Sequence, residues 1–161
     1  MKQHLKMSMV RMSEEEKYAA IYRDVLTGLH NRTAFELECP NYVLIADLDS
    51  LKYINDTHGH RVGDIYLQDL GEALVEVFGD GQVFRLHGDE FAVIAHRKEG
   101  LELTLIKLQL HIPGFSFGCG NTLDEADADL QVNKAYRLAW GYRAARGVQP
   151  PWEIVTHFAT K

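Results

Sequence analysis

The sequence predicts an α+β fold: an antiparallel-rich central sheet with flanking helices, in a ferredoxin-like or polymerase-palm arrangement. Three observations lead there. Tyr42-Val43-Leu44-Ile45-Ala46 is a continuous apolar run, the pattern of a central strand buried on both faces. From Val83 to Ile94, apolar residues flank a Gly88-Asp89 bend, which reads as a hairpin within residues 82 to 97. Around these strands the order of patterns is helix, helix, strand, helix, hairpin, helix, strand, helix, strand.

Residues 1 to 12 read as a loose leader and residues 13 to 161 as one domain. Ser13-Glu14-Glu15-Glu16 is a capping box, and Tyr18, Ile21, Tyr22 and Val25 recur at helical spacing, so a short amphipathic helix is expected to end near Asp24. Gly28 is free to turn with positive φ, and Asn31 is suited to cap a helix over Thr33 to Glu38 that Pro40 stops. Ser50 to Thr57 has room for one or two helical turns before His58-Gly59-His60 breaks them. From Gly63-Asp64 a longer helix runs to about Phe78, with Leu67, Leu70, Leu74, Val77 and Phe78 on one stripe, and Gly79-Asp80-Gly81 ends it. Leu101 to Leu110 fits a short helix, although its leucine alternation also permits a strand. Phe115 to Gly120 reads as a strand with a glycine-tolerant end. Thr122-Leu123-Asp124-Glu125 is a second capping box, opening a helix with Val132, Ala135, Ala139 and Tyr142 at 3-4-3 spacing. Gly147 to Pro151 is a linker, and Glu153 to Phe158 predicts a last strand at a sheet edge.

The 161 residues are one domain's worth of chain. A formal charge of -6 argues against nucleic acid or a membrane surface as the partner, because both are polyanions that favour basic faces. Cys39 and Cys119 have no metal-ligand spacing and suggest no disulfide framework, which fits a reducing cytoplasm. His58-x-His60 lacks an acidic or sulfur partner at a familiar spacing. No apolar run approaches the length of a membrane span, and no targeting signal is read.

Two places carry carboxylates where chemistry could use them. Asp47 abuts the buried strand and costs desolvation there unless something cationic is bound, whereas a solvated loop accounts for Asp49. Asp89 and Glu90 stand at the hairpin bend, within reach of water and a ligand; taken alone, Gly-Asp is also ordinary turn chemistry.

Three longer motifs then coincide in order. Asp24 to Arg32 reads D-V-L-T-G-L-H-N-R, Asp47 to Asp64 reads D-L-D-S-L-K-Y-I-N-D-T-H-G-H-R-V-G-D, and Arg85 to Phe91 reads R-L-H-G-D-E-F. They resemble the D-x-L-T-G-L-x-N-R, D-x-D-x-F-K-x-I-N-D-x-x-G-H-x-x-G-D and R-x-G-G-D-E-F motifs of the GGDEF family of diguanylate cyclases, over most of the chain. The resemblance implies an enzyme that joins two GTP into cyclic di-GMP with release of two pyrophosphates, one GTP held by each of two facing subunits, so a homodimer at least transiently. It implies magnesium or manganese held by Asp47, Asp89 and the Leu48 carbonyl, with Glu90 as a further ligand or as the group that helps deprotonate the attacking hydroxyl. Oxygen donors of this kind suit a hard divalent cation. Lys52 is implied at the phosphates and Asn55 and Asp64 at the guanine edge, whose N–H donors match acceptors. Arg85 and Gly88 belong to the same substrate-binding signature.

Three departures from that pattern bear on the site and its control. His87 replaces the signature's first glycine, which predicts a backbone cost of about 1 to 2 kcal/mol if the position needs positive φ, and a bulky ring beside the nucleotide. Against the family's A-D-x-A-L-Y-x-A-K-x-x-G-R helix, Ala135 to Gly147 puts Arg143 in place of the phosphate-binding lysine. The R-x-x-D product-inhibition motif would fall on Phe78-Gly79-Asp80-Gly81 and is absent, so no feedback through that site is expected. A catalytically silent module that binds GTP, cyclic di-GMP or a protein partner is the alternative to an active cyclase.

Overall fold

A computed structural model describes residues 12–96, 98–112 and 114–152. In chain order its elements are α1 (Glu14–Tyr22), β1 (His30–Asn31), α2 (Arg32–Phe35), β2 (Val43–Leu48), α3 (Leu51–His58), α4 (His60–Phe78), a 3-10 turn (Asp80–Gln82), β3 (Val83–His87), β4 (Glu90–Ile94), α5 (Leu101–His111), β5 (Phe115–Gly120) and α6 (Leu123–Ala139). The strands form one sheet in the order β1-β3-β4-β2-β5. Only the short β1 pairs in parallel, with β3; the β2–β4, β2–β5 and β3–β4 ladders are antiparallel. From β2 to β5 this is the expected ferredoxin-like order.

β2 lies in the middle because its sequence tolerates burial on both faces. Leu44, Ala46 and Leu48 join the core made with Leu67, Leu70 and Leu74 of α4 and Leu105 of α5, while Val43 and Ile45 join the core made with Phe35 of α2 and Ala126 and Leu130 of α6. Asp47 and Asp49 continue the second set by strand alternation, toward α6. β5 lets α6 approach closely. At Gly118 a Cβ would enter the backbone of Leu130 and Ala126, and at Gly120 that of Ala126. Across this contact Asn133 and Asp129 accept hydrogen bonds from the Phe117 and Cys119 amides at 3.2 and 2.9 Å. They satisfy donors on the outer side of an edge strand.

Most local expectations hold, with informative exceptions. Ser13 and Glu16 form the reciprocal capping box, but α1 stops at Tyr22 and buries no residue, and Val25 is fully exposed. Asn31 caps a helix of only one turn, α2. α4 starts at His60, before Gly63, and leaves Val77 exposed. Residues 101–111 are helix, not strand. Thr122 accepts from the Glu125 amide, yet the Glu125 carboxylate takes the Asn121 N–H and Nδ2 in place of the cap residue's own amide.

The largest correction concerns α6. The predicted stripe, Val132, Ala135, Ala139 and Tyr142, faces solvent. Ala126 and Leu130 are the buried pair, and the partly buried face continues through Asn133, Lys134 and Arg137. That face turns polar because its second half crosses acidic strand ends. The predicted strand at 153–158 and the leader up to residue 11 lie outside the described residues.

Candidate functional site

The end of β2, the β3–β4 turn and the end of α6 converge on a cavity of about 530 Å³. Asp47, Leu48, Lys52, Asn55, Asp89, Lys134 and Arg143 all line it, which brings together most of the residues singled out from the sequence. Asp64, in the second turn of α4, is partly exposed and is not among the lining residues described.

Asp47 sits within the last rungs of β2, only 4% exposed, with Glu90 as its register partner on β4. Like charges so placed repel. Burial, together with the charge of Asp89, pushes the Asp47 carboxyl up to about 6, although the Lys134 ammonium, 2.8 Å from its Oδ2, opposes the shift. Asp89 is fixed from the backbone, its carbonyl accepting the Leu48 N–H at 3.0 Å.

The path from strand to helix after Asp47 is bent. Ser50 is the one non-glycine residue among those described with positive φ, at 62°, and it sits at the N-cap of α3 without a side-chain cap bond. Left-handed backbone on such a residue costs about 1 to 2 kcal/mol. The first amides of α3 are left without a capping acceptor at a cavity wall formed by Ser50, Leu51 and Lys52, an arrangement that suits an anion. Lys52 itself pairs with Asp56 at 2.7 Å on the exposed face of α3. Asn55 packs over Gly63, where any Cβ would collide with it, and its buried Oδ1 has no hydrogen-bond partner.

Asp49 is fully buried, so the expectation of a solvated loop acid fails. It accepts from Ser116 Oγ at 2.9 Å, from Arg143 Nε at 2.6 Å and from Arg137 Nη2 at 3.3 Å. Arg143 is thus committed to an internal carboxylate. Arg85 is committed too: its Nη1 binds Asp24 at 2.9 Å, and its Nε and Nη2 donate to the Gly88 carbonyl. It braces the turn from behind and does not line the main cavity.

A sequence profile described as "Diguanylate cyclase, GGDEF domain" matches residues 21–104. The chain belongs to the GGDEF domain family. It is 34% identical over 146 residues to the diguanylate cyclase DgcP of Escherichia coli K12, an alignment covering 73% of this chain and 43% of the relative. The chain spans about half the length of the curated relatives it matches. Among solved structures it resembles the coiled coil and GGDEF domain of DgcB from Caulobacter crescentus in complex with c-di-GMP, with a TM-score of 0.61 at 19% identity over 88% of this chain and 93% of the other. It also resembles diguanylate cyclase SiaD in complex with its activator SiaC from Pseudomonas aeruginosa, with a TM-score of 0.62 at 24% identity over 84% of this chain and 66% of the other.

His87 is the last residue of β3 and has no positive φ, so the expected strain does not arise; Gly88 takes it, at 52°. A register irregularity between Arg85 and His87 brings His87 opposite Glu90, and its Nε2 lies 3.3 Å from Glu90 Oε2. His87 and Gly88 line a second cavity of about 300 Å³, next to Asp24 and Arg85. The family's helix pattern fits nine residues earlier than expected: Ala126-Asp127 begins it, Leu130 continues it, and Lys134, in place of Arg143, occupies the lysine position. Apolar spacing gives no sign of Lys134 and Arg137 because they are polar residues on the partly buried face. At the absent R-x-x-D, Asp80 is nevertheless gripped bidentately by Arg23, at 2.9 Å on both oxygens.

The residues fit the divalent cation that the family implies. Their donors are oxygens, and the proximity of Asp47 and Asp89 is costly without a positive charge, a place Lys134 partly fills. Among the described residues no group of three or more histidine, cysteine or acidic side chains has a metal-holding arrangement. A cation here would therefore draw on two carboxylates, a backbone carbonyl and the substrate's own oxygens, the usual habit of magnesium.

Proposed function

We propose that the chain is a diguanylate cyclase, each of two copies holding one GTP in the cavity beside Asp47. The observation that carries this reading is the convergence of Asp47, Asp89, Lys134 and the uncapped start of α3 on one cavity large enough for a nucleotide. Asp47, Asp89 and the Leu48 carbonyl would hold magnesium or manganese, which when bound neutralises charge on the attacking and leaving oxygens. Lys134 and the α3 amides bind the phosphates. Asn55, which lines the cavity, and Asp64 are the readers of the donor edge of guanine.

Glu90 takes the proton of the 3′-hydroxyl. That oxygen forms a bond to the α-phosphorus of the facing GTP as the bond from that phosphorus to the β-bridging oxygen breaks and pyrophosphate leaves. The same exchange in the other direction closes the ring. In-line attack of this kind depends chiefly on positioning and electrostatics.

Incubation with GTP and magnesium or manganese chloride tests the reading. Formation of cyclic di-GMP with two equivalents of pyrophosphate is expected, and its loss in Asp89→Asn; no product at high protein concentration overturns it. One observation favours the silent alternative: His87 occupies Glu90, the group that would accept the proton. Binding of GTP without turnover, with turnover appearing in His87→Gly, is its signature.

A further inference from the structure

The indole of Trp152 lies against the backbone of Gly114, where a Cβ would meet its Cζ2, Cε2 and Cη2 atoms. It also packs on Tyr66 of α4, with ring centroids 5.9 Å apart. Gly114 is buried and takes φ 98°, a conformation open to glycine and costly for other residues. Trp152, reached from the segment after α6, is thus a wedge between α4 and the start of β5.

Gly114 stands one rung beyond the β2–β5 ladder, which ends with Leu48 opposite Phe115. Its carbonyl accepts the Asp49 N–H at 2.6 Å, and that bond fixes a peptide plane at the main cavity. The Leu48 carbonyl and the Asp49 N–H belong to one trans peptide unit and point in opposite directions. With the N–H held toward β5, the carbonyl is turned to the other side of β2. The Leu48 N–H shares that side in extended backbone, and it donates to the Asp89 carbonyl at 3.0 Å, so the side is that of the β3–β4 turn. Leu48 lines the cavity although its side chain belongs to the hydrophobic core, so the main chain is what it presents there.

We propose that Trp152, acting through Gly114, is a positioning residue that aims the Leu48 carbonyl at the divalent cation of the main cavity. The inference rests on the metal-assisted nucleotide reading of that cavity. Trp152 touches neither cation nor nucleotide. Without the indole, a glycine with wide backbone freedom is all that holds the Asp49 N–H, and the peptide plane can turn. The Asp49 carboxylate stays held by Ser116, Arg137 and Arg143, so the walls that face the nucleotide keep their places. The loss falls on the cation, whose binding depends on the groups that orient its ligands.

Calorimetric titration of the full chain with the α,β-methylene analogue of GTP, which cannot react, tests this. Titrations in manganese chloride and in EDTA give the factor by which the metal tightens nucleotide binding. Trp152→Ala is expected to lower that factor about tenfold, the scale for losing a group behind a metal ligand, and to leave the affinity in EDTA unmoved. Trp152→Phe keeps a ring over Gly114 and recovers most of the loss. Trp140→Ala, at a largely exposed tryptophan, leaves both affinities unmoved. Should Trp152→Ala fail to fold, as read by its thermal midpoint, Trp152→Leu carries the same comparison. An unchanged factor overturns the proposal, and so does equal weakening with and without metal, which is what a merely structural role gives. Product formation from GTP is read separately. A parent that gains affinity from manganese but makes no cyclic di-GMP overturns the cyclase reading and leaves the role of Trp152 standing. A parent that makes product, with the factor unmoved in Trp152→Ala, overturns the role of Trp152 alone. A parent that binds the analogue no better with manganese than without overturns the metal site and the role of Trp152 together.

Discussion

The ammonium of Lys134 lies 2.8 Å from Oδ2 of Asp47, where α6 crosses the end of the central strand. Asp47 has little water to fall back on, and Asp89 adds repulsion, so the lysine is its main source of compensation. Lys134→Met keeps the side-chain stem and removes the charge. It is expected to lower the unfolding free energy at pH 7 by about 2 kcal/mol, the scale for a buried charged group that loses its partner. Urea titration checks this. Because the two residues share one interaction, Asp47→Asn combined with Lys134→Met should cost less than the separate losses added together.

The position of α6 depends on Gly118. A methyl group there would meet the helix backbone at Leu130 and Ala126, which cannot swing aside as a side chain could. Gly118→Ala is expected to destabilise by about 1 to 3 kcal/mol, as overpacked cores do. Displacement of α6 carries Lys134 with it, so GTP affinity should fall along with the thermal midpoint. A variant that loses stability and keeps full affinity would show that the cavity does not depend on this contact.

The sheet was legible in the sequence because β2 is a short, β-branched-rich apolar run and the β3–β4 hairpin has apolar flanks about a tight turn, patterns that favour strands. Asp47 was legible because an acid abutting an apolar run stands out, whereas Asp89, at a bend where Gly-Asp is ordinary turn chemistry, became legible through the R-L-H-G-D-E-F motif. Asp49 and α6 were not. Asp49 has the same local context as a loop acid, and its burial follows from Arg137 and Arg143, distant in sequence. On α6 the exposed Val132, Ala135 and Ala139 carry the apolar spacing while the buried face carries Lys134 and Arg137, so hydrophobic periodicity points to the wrong side. His87 was misjudged because a glycine in a family signature suggests special backbone; the hairpin places that demand one residue later, on Gly88.

Asp24 links the first motif to the hairpin. Burial raises the pKa of its carboxyl, but hydrogen bonds from Arg85 and Thr27 outweigh it and hold the group below the ordinary aspartate range. The unfolded chain therefore takes up this proton at higher pH than the folded one. The contribution of Asp24 is fully present above about pH 4, the unfolded value, and is lost as pH falls through the lower folded value. Urea midpoints followed from pH 6 to pH 3 should fall for the parent, and fall less steeply for Asp24→Asn. Equal slopes would remove Asp24 from the acid transition.

His87 and Glu90 face each other across the end of the hairpin at 3.3 Å, with the imidazole largely exposed and the carboxylate partly covered. An exposed pair of this kind contributes about 0 to 1 kcal/mol, and a glycine at a strand end costs about 0.5 to 1 kcal/mol in chain entropy. His87→Gly should therefore be slightly less stable than the parent, with no strain to relieve. Its effect on turnover has the opposite sign. Freed from the ring, Glu90 is available to the attacking hydroxyl, and the initial rate of cyclic di-GMP formation should rise by about tenfold, the equivalent of 1.4 kcal/mol at the transition state. Glu90→Gln should lose most activity in either background. The decisive comparison is His87→Gly against His87→Gln, assayed for product and for stability side by side. Glutamine keeps a hydrogen-bonding side chain over Glu90, so it should stay slow. If glutamine accelerates the reaction as much as glycine, the restraint is not the contact with Glu90 but the bulk or charge of the imidazole.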